Sequence, residues 1–329
     1  MLPYRRSETG AAAFLLWVGM MRRTNRDFEY EITESGVEIL RCFAFGGKGA
    51  VIEIPEKIEG EAVTAVGAYA FSPQQTPGGD RIGEVILPRG VVKIGRYAFY
   101  NCRELTRLEF PGGLRDVGAG AFTGCHRVRA LTLRMEGEET SCLREILMEL
   151  PEEMRVTYLS DRGEARLVFP EFFEEGVENT PARIIVTHLH GSGMQYRNCF
   201  AQRKLQLAEY DKCFALARAQ EEERLLTELC FGRLLYPLEL SENARKQYTG
   251  FLREHLRAAA RYALSGREQH ALRMLLGEVR PEEEELPVLL SEAQRAGDAQ
   301  SVSRIQEYRR ERFGGSFQKK ADVRSRFSL

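Results

Sequence analysis

The sequence is short of most features that mark a catalyst or a membrane protein. Its 329 residues hold one tryptophan and five histidines, and none of its seven cysteines are spaced as C-x-x-C. An odd cysteine count without paired spacing gives neither a disulfide framework nor a zinc ribbon. Charge of one sign is also missing, with 47 Lys+Arg against 48 Asp+Glu. A net charge of −1 is unsuited to wrapping on nucleic acid. The apolar run Ala11 to Met21 is only 11 residues, where a membrane-spanning helix needs about 20. It lies between Arg5-Arg6 and Arg22-Arg23, as in a signal peptide, but no small-residue cleavage site follows it. Residues 1–21 are therefore read as an N-terminal extension, with translation expected to start at Met20 or Met21.

What the chain does have is a repeat. Ile94 and Val117, Phe99 and Phe122, Cys102 and Cys125, and Leu108 and Leu131 are each 23 residues apart. A set of positions recurring in register at such a period indicates a solenoid, in which each unit buries its apolar face only against its neighbours. The motif x-φ-x-φ-P, with φ apolar, occurs at Val51–Pro55, Glu84–Pro88 and Arg107–Pro111, and without its proline at Ala130–Leu133. Alternation points Ile52, Val85, Leu108 and Leu131 inward, together with Ile54, Leu87, Phe110 and Leu133. It leaves Glu53, Ile86, Glu109 and Thr132 facing out as a ladder, with Glu84, Arg107 and Ala130 beside them. Ser72 to Arg81, rich in Pro and Gly, reads as an exposed loop inserted in the array. Two alternating strands, Phe28–Ile32 and Val37–Phe43, form a hairpin that covers the end of the solenoid.

The pattern V-x-x-[IV]-G-x-x-A-F-x-x-C at Val91–Cys102, repeated with a leading Leu114 through Cys125 and in shorter form at Val63–Phe71, resembles the bacterial BspA-like leucine-rich repeats. The resemblance covers about residues 28–134. It implies a right-handed solenoid of short parallel strands with a protein-binding role, and many members of that family are secreted.

Beyond the repeat, residues 151–193 read as a connecting β segment. From residue 194 to 315 the apolar period becomes that of helices, with Ser241 as an N-cap and Pro237 ending the helix before it. One long helix is expected to carry Ala244, Tyr248, Phe251, Leu252, His255 and Ala259, and Pro281 with Glu282–Glu285 to open another. Gly314-Gly315 should end the last helix and leave a disordered basic tail over 316–329. The fold class is thus α+β, with a leucine-rich repeat β-solenoid and hairpin cap over 22–150 followed by an all-α, helix-hairpin domain.

Candidate chemistry gathers at Thr187–Gly193. On a strand, His188 and His190 share a face as two metal ligands can, but no third ligand stands at a telling spacing, so no metal is expected. Cys199 and Cys213, with Asp211, could join these histidines as nucleophile, base and orienter, although a buried structural thiol is the plainer reading of Cys199. Gly191-Ser192-Gly193, with Arg197 nearby, could hold an anion, although the phosphate-loop pattern is absent. An enzyme or anion-binding module over 188–197 is the alternative reading. The leading one is a non-enzymatic protein-interaction scaffold without cofactor, binding an unidentified protein through Glu53, Glu84, Ile86, Arg107, Glu109, Ala130 and Thr132. No nucleic-acid or membrane partner is expected. The location is read as a bacterial cytoplasm, and a secreted or cell-surface adhesin is the alternative should residues 1–21 direct export.

Overall fold

The computed structural model describes residues 22–43, 46–137, 140–179, 184–266 and 270–325. The expected N-terminal extension, residues 1–21, and the last four residues of the expected tail lie outside this set. The chain forms two compact units that interleave in sequence. One comprises the described residues up to Glu164 together with Phe169–Gln206, and the other comprises Ala165–Val168 and the residues from Leu207 onward.

In the first unit the chain alternates between two sheets. One sheet holds β1 (Arg23–Thr24), β2 (Phe28–Thr33), β3 (Gly36–Cys42), β6 (Glu61–Val66), β8 (Lys93–Ile94) and β10 (Asp116–Val117), with β5 (Lys57–Ile58) paired to β6. The other is a parallel ladder of β4 (Ala50–Glu53), β7 (Ile82–Ile86), β9 (Arg107–Pro111), β11 (Ala130–Arg134) and β12 (Met154–Ser160). Strands β3, β6, β8 and β10 are likewise parallel neighbours, and β2 joins β3 as an antiparallel hairpin at the end of the array. Visiting the sheets in turn winds the chain into a solenoid of about five turns. Strand β12 pairs with β11 over five residues and so belongs to the solenoid, not to a connecting segment.

The core follows the repeat. Ile52, Val85, Leu108, Leu131 and Val156 lie inside the ladder sheet, as do Ile54, Leu87, Phe110 and Leu133, all at most 4% exposed. At the bend, the rings of Phe71, Phe99 and Phe122 stack at 5.0 and 5.3 Å. The thiols of Cys102 and Cys125 donate to the carbonyls of Phe71 and Phe99, one turn back. The hydrogen bond with Cys125, reinforced by burial, holds the Cys102 thiol far above its ordinary range. These cysteines therefore behave as small apolar groups with one weak donor.

Gly95 and Gly118 serve close approach, not the turn conformation their position suggests. A Cβ on Gly118 would lie 2.3 Å from Arg96 N, and one on Gly95 would lie 2.5 Å from Ala68 N. The left-handed backbone falls instead at the aligned positions Tyr69, Tyr97 and Gly120, with φ of 58, 56 and 67°. The Ser72–Arg81 insertion is exposed at Gln74, Gln75, Pro77, Asp80 and Arg81, as expected of a loop, but not throughout. Ser72 and Thr76 are buried, and the Thr76 hydroxyl donates to Ala70 O, so this corner is packed.

Helix α1 (Leu143–Glu149) follows β11, and a short helix α2 (Gly193–Arg197) comes later in the same unit. Strand β13 (Gly163–Phe169) carries the chain through residues 165–168. Strands β14 (Phe173–Asn179) and β15 (Ile184–His190) form a two-stranded ribbon, and β16 (Phe200–Ala201) and β17 (Lys204–Leu205) form a small hairpin.

The second unit is helical from Leu207, not from residue 194. Its elements are α3 (Leu207–Lys212), α4 (Phe214–Gln220), α5 (Glu223–Leu235), α6 (Glu242–Glu254), α7 (Leu256–Ala263), α8 (Ala271–Met274), a π-helical turn over Leu275–Val279, α9 (Leu286–Arg295) and α10 (Ala299–Ser325). Ser241 caps α6, its hydroxyl accepting from Ala244 N at 3.2 Å. The expected long helix breaks at His255, whose ring stacks on Phe251 and whose Nδ1 lies 2.7 Å from Glu223 Oε1. Helix α9 begins at Leu286, after the acidic turn. Helix α10 passes through Gly314-Gly315, where an end is expected, because glycine weakens a helix by only about 1 kcal/mol and does not forbid it.

Two polar clusters organise the helices. Buried Asp211 on α3 accepts two hydrogen bonds from Arg233 on α5, at 2.7 and 2.9 Å, and one from the Tyr248 hydroxyl on α6. On α9, buried Glu292 meets Arg261 and Arg257 of α7 and Arg295 of its own helix. The Arg261 hydrogen bond, with Arg295 and Arg257 beside it, holds the Glu292 carboxyl below the usual carboxylate range.

Two outcomes are expected. Phe99→Ala and Phe122→Ala should each lower unfolding free energy by about 3–5 kcal/mol, while exposed Arg103→Ala should cost under about 0.5 kcal/mol in the same denaturant titration. Glu292, its folded pKa depressed, contributes stability above the unfolded value of about 4.3 and loses it as pH falls through the folded value. Melting temperature should therefore drop on the acid side between about pH 5 and pH 3, and Glu292→Gln should remove part of that drop.

Candidate interaction surface

Parallel strands in register set equivalent side chains in rows about 4.8 Å apart. The ladder sheet presents two such rows on its outer face. One runs Glu53, Ile86, Glu109, Thr132 and Thr157, and the other Val51, Glu84, Arg107, Ala130 and Arg155. All seven residues expected from the sequence, Glu53, Glu84, Ile86, Arg107, Glu109, Ala130 and Thr132, fall in these rows.

Their accessibility is uneven. Glu53 and Arg107 are exposed, Ile86, Glu84, Glu109 and Ala130 are half-buried, and Thr132 is buried at 8%. Glu109 forms a close ion pair with Arg134, and Arg107 lies 3.8 Å from Glu84. Opposite charges on adjacent strands thus largely neutralise one another across the face. The large exposed apolar residue of the rows is Val51, 57% exposed, not Ile86. Val51 stands one residue before inward Ile52, as Glu84 stands before Val85, so the same alternation marks it. Arg155 and Thr157 become visible as row members only when Met154–Leu159 is recognised as a further turn.

The 188–197 stretch has a different outcome. Arg197 is fully buried and donates to five backbone carbonyls: Leu147 at 2.8 Å, Leu150 and Glu152 at 2.9 Å, Gly193 at 3.1 Å, and Pro170. Its guanidinium also lies 4.8 Å from the Phe172 ring centre. Burial pushes the group down to about 10, against the pull of Glu152. With its donors spent on carbonyls, Arg197 is not placed to receive an anion. The glycines beside it are fixed by contact, since a Cβ on Gly193 would lie 2.2 Å from Pro170 O.

The nucleophile, base and orienter of the enzyme reading are each engaged elsewhere. His190 Nε2 lies 3.1 Å from Glu175, the Cys199 thiol donates to Gln195 O, and Asp211 is held by Arg233 and Tyr248. The side chain of His188 lies outside the described residues. Two further thiols are held in their neutral form, with burial pushing Cys142 up to about 11 and Cys230 well above its ordinary value.

Comparison with known proteins points to the same repeat. Residues 64–142 match the model of the BspA type leucine-rich repeat region (6 copies), and this stretch is a repeat region of that type. Among solved structures, a leucine-rich repeat protein from Bacteroides ovatus ATCC 8483 is 18% identical, with a TM-score of 0.28 over 43% of this chain and 37% of its own. A leucine rich cell surface protein from Faecalibacterium prausnitzii A2-165 is 16% identical, with a TM-score of 0.27 over 48% of this chain and 59% of its own. A leucine-rich repeat protein of T. pallidum is 19% identical, with a TM-score of 0.22 over 43% and 84%. The chain thus spans 37% and 59% of the length of the first two. No curated protein matches it.

Arg197→Lys supplies one point charge where a planar fork serves five carbonyls. It should destabilise the first unit by about 3–5 kcal/mol, the cost of breaking a buried charged network. Thermal unfolding followed by circular dichroism checks this, with exposed Arg103→Lys as the unchanged reference.

Proposed function

We propose that the protein is a non-enzymatic interaction scaffold that binds a protein partner on the outer face of its ladder sheet. The supporting observation is the pair of rows across β4, β7, β9, β11 and β12. They make an extended surface of mixed character, with exposed Val51 at one end of its row and half-buried Ile86 in the row of Glu53. Solenoids commonly bind along such surfaces, and an apolar residue among charges is a natural anchor. The balanced charge of the chain favours a protein over a nucleic acid as partner.

Proteins with BspA-type repeats are often surface proteins. The proposal therefore carries forward the secreted or cell-surface location of a bacterial protein in place of the cytoplasmic one. Among the described residues, no helix is long and apolar enough to cross a membrane. Six of the seven cysteines are buried, which shields their thiols in either compartment.

A photo-reactive amino acid placed at Glu53 or Arg107 should cross-link a partner from the native host that the same probe at exposed Arg103 does not. With that partner purified, Ile86→Asp combined with Glu53→Lys, at an exposed position of the same row, should weaken binding at least tenfold while circular dichroism and melting stay unchanged. Undiminished affinity would move the site to the helical unit.

A further inference from the structure

The helical unit holds an open groove that the scaffold reading does not use. One wall is α8 with the π-helical turn after it, and the other is α10. Its larger part is about 490 Å3, and a second part of about 440 Å3 adjoins it at Leu276, Gly277 and Tyr308. Ligand pockets run from about 300 to about 1,000 Å3. Leu272, Leu276 and Tyr308 supply the apolar lining. The Tyr308 hydroxyl donates to Pro281 O at 3.1 Å and accepts from Arg312, so the ring is held in place without a ligand.

The wall is built to stay open. Turns of π-helix are rare and occur frequently at functional sites. Gly277 lies within this one although glycine is a poor helix former. No contact requires it there, because a Cβ at Gly277 would meet nothing within 4 Å. Its missing side chain leaves the join of the two parts unobstructed. The charge of the lining is uneven. Arg273 and Arg304, 31 residues apart in the chain, both line the larger part and are exposed. Among the described residues neither is in an ion pair. The arginines of the second part are engaged instead: Arg280 Nε donates to Gly277 O at 2.9 Å, and Arg312 pairs with Glu282 at 2.9 Å. Glu307 and Glu311 follow Arg304 along α10. A carboxylate is thus favoured beside Arg273 and Arg304 and opposed further along the groove.

We propose that this groove binds a short acidic segment of a partner protein. One large apolar side chain of that segment covers Leu272, Leu276 and Tyr308, and a neighbouring carboxylate is received by Arg273 and Arg304. Guanidinium groups match a carboxylate in charge and in fork geometry. Arg312 comes eight residues after Arg304 on the same helix, about 12 Å along its axis. That length takes about two turns of a helix or about four extended residues, so recognition rests on one anchor and its flanking charge. The site lies apart from the ladder face, and each of the two readings can fail without the other.

The test uses the full chain and a library of short synthetic peptides, acetylated and amidated so that their termini carry no charge. Peptides that bind the protein but not its Gly277→Leu variant should carry Asp or Glu within about one helical turn of a Leu, Phe, Tyr or Trp. The affinity of such a peptide should fall at least tenfold on Gly277→Leu, on Arg273→Glu combined with Arg304→Glu, and on replacing its own acids by amides. Ile86→Asp combined with Glu53→Lys should leave it unchanged, which separates this site from the ladder face. Circular dichroism and melting check that the variants fold, and should Gly277→Leu not fold, the reversal of the two exposed arginines decides. The proposal is overturned if no peptide distinguishes the protein from its variants or if the selected peptides are neutral or basic. It is equally overturned if polyphosphate or single-stranded RNA displaces the peptide as well as a free copy of the peptide does, because charge alone then accounts for binding.

Discussion

The first unit depends on one cation held by dipoles. Among the described residues no carboxylate is hydrogen-bonded to Arg197, and five carbonyls accept its donors instead. Two of them, Leu147 and Leu150, are at the C-terminal end of α1, where carbonyls lack intrahelical partners and the helix dipole is negative. The same helix ends in Glu149, whose carboxylate accepts from the N–H groups of Gly120 and Phe122, both at 3.0 Å. A line of polar contacts thus leads from the buried guanidinium through α1 to the last phenylalanine of the stack. The repeats supply periodic packing, and Arg197 anchors the irregular segments beyond the phenylalanine stack.

The two units solve the problem of a buried arginine in opposite ways. Arg233 is paired with a buried carboxylate, which raises its pKa against the effect of burial. Arg197 is surrounded by neutral acceptors, and burial lowers its pKa. Hydrogen bonds offset the burial of both ions, through every nitrogen of Arg197 but only through Nε and Nη2 of Arg233, whose Nη1 has no partner among the described residues. In sequence the two arginines look alike, and only their surroundings separate them.

That contrast marks how far the sequence could be read. The solenoid was legible because its constraint is periodic. Phe99 and Phe122, Cys102 and Cys125, and the inward pairs such as Leu108 and Phe110 recur because each turn must meet the next. The rows of the outer face followed by alternation alone. Strand β12 was placed in a connecting β segment and not in the solenoid, because Val156 comes 25 residues after Leu131 and lacks the Phe and Cys signature. Arg197 entered the alternative, anion-binding reading because a buried and an exposed guanidinium have the same letter. Contacts distant in sequence were equally hidden: Glu175 meets His190 through strand register, and the helix break at His255 coincides with its bond to Glu223 on another helix.

The corner at Ser72–Arg81 shows what the architecture tolerates. Phe71 and Phe99 are 28 residues apart in the chain, and Phe99 and Phe122 are 23. Yet the rings stack at nearly the same spacing, 5.0 and 5.3 Å. The extra residues leave the path at a bend, pack on themselves and return without altering the rise per turn. Spatial periodicity is therefore separate from the count of residues between layers. A bend of this kind is a site where the protein can be lengthened, decorated or diversified without cost to the stack, whereas a single residue added to a strand would turn its inward side chains outward.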